Sequence, residues 1–153
     1  MSVAPLSAAQ AAAVRSLAQN KRVRVITAGG DERRARSFLN HAEEAYANIA
    51  NVSGNLVKHD LAYAVMHDVG EAMLAAYGFR TAPGIGQHDA VARFLAAIFD
   101  SPPPSEAAGR VDDARRNRND RYYRAHTPSA AETKLAVEDA HILLTAARAR
   151  LAD

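Results

Sequence analysis

The chain has 153 residues, a formal net charge of +2 and 48% hydrophobic residues, the length and balance of one globular domain. It contains no cysteine, which excludes disulfides, thiolate nucleophiles and Cys-ligated metals and suits a reducing cytosol. No apolar run approaches the ~18 residues of a membrane helix, and the first turns lack the apolar core of a signal peptide, so a cytoplasmic protein without a membrane partner is expected.

The pattern is helical almost throughout. Ser7 is placed to cap a first helix over 7–19, and "RVRVIT" at 22–27 is the one strand-like piece, ending at Gly29-Gly30. Asp31 caps a longer helix to about Val52, with Phe38, Leu39, Ala42, Ala45, Tyr46 and Ile49 on one stripe. Ser53-Gly54-Asn55 is a turn. A third helix follows from about Leu56 to Tyr77, with Gly78 suited to the position just past its end. "FRTAPGIGQ" is a loop, and a fourth helix begins at Gln87 or Asp89 and runs through Phe99. Pro102-Pro103-Pro104 stops it, and Ser105 caps a fifth helix that Thr127-Pro128 breaks. Ser129-Ala130-Ala131-Glu132 is a capping box for a last helix to about Leu151. The expectation is an all-α fold: a bundle of about five core helices over 31–153, with residues 1–30 as an N-terminal helical appendage.

The fifth helix carries the chemistry. "RRNRNDRYYRAH", residues 115–126, holds five arginines, two asparagines, two tyrosines and a histidine. Ala107, Val111 and Ala114 mark the buried stripe, and its continuation reaches Arg118. Arginine is almost never buried unpaired, so Arg118 has three destinations: an acid on a neighbouring helix, a subunit interface or a pocket for an anion. On a continuous helix Asn119, Tyr123 and His126 share the adjacent face. Arginine binds phosphate oxygens in a planar fork, and histidine moves protons near neutral pH. RNA cleavage without a metal needs both. The same residues also suit a solvated helix end, where cations are favoured by the dipole. Asp112, Asp113 and Asp120 are placed to neutralise half of the six arginines between 110 and 124.

Here the chain resembles the HEPN superfamily (higher eukaryotes and prokaryotes nucleotide-binding domain). The likeness lies in "LAYAVMHDVGEAMLAAYGFR" at 61–80, "GIGQHDAV" at 84–91, Arg118-Asn119-Asp120-Arg121-Tyr122-Tyr123, and "AVEDAHILLTAARARL" at 136–151. It covers roughly residues 31–151. The family's hallmark is an arginine, a polar neighbour and a histidine a few residues on. Two frames fit. Arg118-Asn119 keeps the Arg-polar pair but puts Tyr123 in the histidine position, whereas Arg121 and His126 keep the spacing but follow the arginine with Tyr122. The first frame explains Arg118 on the stripe. The resemblance implies a homodimer with a composite cleft and a metal-independent endoribonuclease of the toxin–antitoxin or phage-defence type, needing no cofactor. It also implies a nucleotidyltransferase-type antitoxin as partner. Other members bind nucleotide or RNA without cleaving, as a regulatory interaction module. On this reading Arg118, Asn119, Tyr123 and His126 are catalytic, and Arg115, Arg121 and Arg124 bind RNA phosphates.

Other features are weaker signals. His41, His59, His67 and His141 are scattered over three helices without metal-clamp spacing, so no metal site is expected. Gly84-x-Gly86 lacks a preceding strand and a following Gly-Lys-Ser, so it reads as a helix–helix turn. His88, at the start of the fourth helix, is within reach of the site but suits a cap or surface role better, and Tyr46, Tyr63 and Tyr77 suit the core.

Overall fold

The computed structural model describes residues 2–152, and its fold is an all-α helical bundle with one small two-stranded sheet. The helices are α1 (Ala8–Gln19), α2 (Glu32–Ile49), α3 (Asn55–Ala76), α4 (Gln87–Ile98), α5 (Pro104–Gly109), α6 (Val111–Arg124) and α7 (Ala130–Arg150). α3 is the axis. Small and apolar residues surround it on nearly every side, and Ala62, Val65, Met66, Val69, Ala72, Met73 and Leu74 are fully buried. A helix apolar all round must be covered all round. α2 and α7 provide most of that cover, α4 and α6 the rest.

Close approach on the α4 side depends on a glycine. A Cβ at Gly70 would lie 2.2 Å from Val91 Cγ1 and 3.4 Å from Leu95 Cδ1, so only glycine admits α4 at this distance. Phe94, Leu95 and Ile98 of α4 are thereby fully buried. Each contributes about 1.5–3 kcal/mol of transfer free energy.

The caps follow the sequence closely. Ser7 and Ser129 form capping boxes with Gln10 and Glu132, and the Asp31 carboxylate accepts from the Arg34 N–H. Gly78, at φ 86°, ends α3 in the left-handed region, and its carbonyl accepts from the N–H groups of Ala28 and Gly29. That turn brings "RVRVIT" into register with residues expected to be loop. β1 (Val25–Thr27) pairs antiparallel with β2 (Phe79–Thr81), Val25 opposite Thr81. The N-terminal helix α1 docks on α4, and Val14, Val23 and Val25 join the common core.

One helix divides where the sequence reads as continuous. The segment after the prolines is two helices, α5 and α6, joined at Arg110. Arg110 is held there by Asp139 of α7 through two hydrogen bonds of 2.8 Å. The fork of the guanidinium, matched to a buried carboxylate, ties the start of α6 to α7.

Candidate functional site

α6 rests on α3 through Val111 and Ala114, both buried. One turn on, Arg118 leaves the core at the edge of α3. Its guanidinium carbon stands 5.6 Å from the centre of the Tyr63 ring and 5.7 Å from that of Tyr122, within cation–π range of both. The other arginines of the segment have carboxylate partners. Arg110 pairs with Asp139, Arg115 with Asp112, Arg116 with Asp112 and Asp113, Arg121 with Asp60 and Arg124 with Asp120. Among the described residues Arg118 is the one arginine of these six without a carboxylate in ion-pair range. Its charge faces an open cleft.

Tyr63 and His67, one turn apart on α3, form the inner wall. The Tyr63 ring is buried as expected of a core residue, but its hydroxyl hydrogen-bonds His88 Nδ1 at 2.5 Å. His88, in the first turn of α4, stacks on His67 with ring centres 4.5 Å apart. Asp60, Asp68 and Tyr122 complete a cleft of about 280 Å³. A neighbouring hollow of about 330 Å³ shares His88 and Arg118 and is walled by the 84–89 segment, Arg115 and Asn119.

The electrostatics separate these groups. Burial, helped by the neighbouring His88 and Arg118, pushes His67 down to about 4. Burial and the nearby Arg118 and Arg115 also lower His88, so both imidazoles are neutral at pH 7. Burial raises the Tyr63 phenol to about 12 against the pull of Arg118, so it keeps its proton. Burial raises Asp68 to about 6, which places a carboxyl that titrates near neutrality in the same cleft. Behind the cleft, His67 Nε2 lies 3.8 Å from the buried Glu71 carboxylate. His67 Nδ1 and Glu71 Oε2 have no hydrogen-bond partner among the described residues. Arg34 approaches Glu71 only to 3.6 Å, too long for a hydrogen bond.

The residues singled out in the sequence are not all brought together. Arg118 lines both hollows just described, and Asn119 only the second. Arg115 lines one wall, already paired with Asp112, and Arg121 is committed to Asp60. Tyr123 and Arg124 point into solvent. His126 does not continue the face of Asn119 and Tyr123. α6 ends at Arg124, and Ala125 adopts φ 52°, so the chain turns and the His126 N–H donates back to the Asp120 carbonyl. The His126 imidazole then faces Glu132 at 3.8 Å. Tyr63, His67 and Asp68 are the cleft residues that sequence reasoning passed over, while His88, which the sequence placed within reach of the site or in a cap or surface role, lines both hollows. One signal was present: Tyr63 and His67 are four apart on α3 and share a face.

Among the described residues no three His, Asp or Glu side chains are grouped so as to hold a metal ion. No described helix is long and apolar enough to cross a membrane. Compared with family models, curated proteins and solved structures, the chain matches none.

Proposed function

We propose that this protein is a HEPN-like, metal-independent endoribonuclease whose working centre is the Arg118 cleft. The carrying observation is the uncompensated guanidinium of Arg118, held between two tyrosine rings beside the His88 imidazole. An unpaired arginine in a cleft is an anion receptor, and its fork fits two phosphate oxygens at once. Cleavage by the neighbouring ribose needs three things. A base takes the 2′-hydroxyl proton as that oxygen attacks phosphorus, a cation stabilises the crowded phosphorane, and an acid protonates the departing 5′-oxygen. Arg118 supplies the cation. Neutral His88 is the base, and the protonated form of Asp68, raised to about 6, returns the proton. The products are a 2′,3′-cyclic phosphate and a 5′-hydroxyl end.

The toxin or phage-defence setting, the homodimer and a nucleotidyltransferase-type antitoxin belong to this proposal through the HEPN resemblance. A second reading keeps the same cleft but no chemistry: a nucleotide- or RNA-binding module. It is favoured by Tyr122 and Tyr123, exposed by 61% and 86%, which present ring faces for bases beside the arginines.

The test is cleavage of single-stranded and hairpin RNA in the presence of a chelator, by the wild type, Arg118→Ala and His88→Ala. The nuclease reading expects a loss of about a hundredfold or more in each variant with an unchanged circular dichroism spectrum. Full cleavage by both variants removes it. Salt-dependent RNA binding without cleavage by the wild type establishes the binding module instead.

A further inference from the structure

α6 has a second cleft on its other side. α6 packs on α3 and α4, while α7 packs on α3 and α5, and a space of about 400 Å³ opens between α6 and α7 above α3. That volume lies within the range of small-molecule sites. Its floor and sides include His59 and Met66 of α3, Ala114 of α6, and Leu135 and Ala136 of α7.

Two features define what fits. The first is His59. Its side chain is 1% exposed, and its Nδ1 has no hydrogen-bond partner among the described residues. Such a group costs about 1–3 kcal/mol unless something pairs with it. Burial lowers its pKa, so the ring is neutral and offers one donor and one acceptor nitrogen. The second is that the charged groups around the cleft already have partners. Arg110 is committed to Asp139 through two 2.8 Å bonds. Arg116 lies 2.8 Å from Asp112. Glu132 binds the Ser129 N–H and faces His126. Asp113 lies 3.9 Å from Arg116. Among the described residues each lining arginine thus has a carboxylate within 4 Å, in contrast to Arg118, and each lining carboxylate has a basic side chain within 4 Å. The apolar lining of Met66, Ala114, Leu135 and Ala136 favours a flat, uncharged body, and methionine adapts to such shapes.

We infer that the α6–α7 cleft is a binding site for an uncharged, hydrogen-bonding heterocycle with the chemistry of a nucleobase. Apolar surfaces hold its faces, and His59 pairs with its edge. The inference stands on this cleft alone and does not require RNA cleavage at Arg118.

The test is titration of the full chain with adenosine, guanosine, cytidine and uridine separately, followed by methyl and imidazole NMR. The expected result is saturable binding of at least one nucleoside. Its shifts concentrate on the Met66, Ala114, Leu135 and Ala136 methyls and the His59 ring. His59→Phe weakens that binding about tenfold or more. Leu135→Ala, at a partly exposed position that tolerates change, weakens it severalfold, which keeps the test decisive where His59→Phe fails to fold. Arg118→Ala leaves nucleoside binding intact, so failure of the nuclease proposal is read separately. Three outcomes overturn the inference: no saturable binding of any nucleoside, shifts confined to the Arg118 cleft, or undiminished binding in folded His59→Phe.

Discussion

The Tyr63 hydroxyl meets His88 Nδ1 across the α3–α4 junction, while the Tyr63 ring face lies under the Arg118 guanidinium. One buried phenol therefore links the His88 imidazole, the proposed base, to the Arg118 guanidinium, the proposed anion receptor. Because burial raises its pKa to about 12, the phenol stays protonated through the working pH range and orients His88 without adding charge.

Tyr63→Phe keeps the ring and removes the hydroxyl. The expected result is a fold stable to within about 1 kcal/mol and an RNA cleavage rate lower by about tenfold, with the acidic limb of the pH–rate profile displaced. A profile identical in shape and height to the wild type shows that the Tyr63–His88 bond has no part in the reaction.

Two imidazoles compete for the proton-transfer role, His88 in the cleft and His126 beside Glu132. The geometry expects the larger kcat loss for His88→Ala, by about tenfold or more over His126→Ala. The reverse order returns the site to the Arg121–His126 frame.

The depressed pKa of His67 has a sign that is fixed by linkage. Between about pH 6.5, where the unfolded imidazole titrates, and about 4, where the native one does, the unfolded state binds more protons. Stability contributed by neutral His67 is complete above pH 6.5 and is lost as pH falls toward 4, by roughly 3 kcal/mol at most. Asp68, raised to about 6, acts in the opposite direction over part of this window, because its native state binds the extra proton. The difference between wild type and His67→Leu isolates the histidine. Urea denaturation at pH 7.5 and 4.5 is expected to show a smaller pH dependence in the variant. Equal slopes in the two proteins contradict the assignment.

Gly70→Ala is expected to destabilise the fold by about 1–3 kcal/mol despite alanine's better helix propensity. The new methyl meets Val91, a buried β-branched side chain with little rotamer freedom. A thermal midpoint equal to or above that of the wild type shows that α4 moves away at no cost.

Arg110→Met leaves the Asp139 carboxylate buried without its partner and is expected to cost roughly 3 kcal/mol. Arg110→Met combined with Asp139→Leu recovers most of that loss, because two apolar groups replace a desolvated pair. If the double variant is no more stable than the single one, the pair is holding the α5–α6 junction by geometry that apolar packing cannot replace.

Local chemistry made much of the fold legible. The serine caps at 7 and 129, the Asp31 cap, the glycine after α3 and the proline stop after α4 all act within a few residues, so each can be read from its neighbours. The apolar stripes placed α2, α3, α4 and α7 to within a few residues of their observed ends. Two features were hidden. β2 exists because the Gly78 turn brings it beside β1, more than fifty positions earlier in the chain. The α5–α6 break falls at Gly109 and Arg110, where Asp139 of another helix holds the arginine.

The site divides in the same way. The run of arginines and the place of Arg118 at the end of a buried stripe were determined by residue types and helical period alone. Which arginine stays uncompensated was decided by tertiary structure, since Asp60 reaches Arg121 from α3 and leaves Arg118 over Tyr63. So was the replacement of His126 by His88 beside that arginine. A single left-handed residue at Ala125 turns the chain toward Glu132, and the packing of α4 against Gly70 brings a histidine from another helix to Tyr63. Pairings between side chains far apart in sequence depend on how helices cross, and no local pattern encodes that crossing.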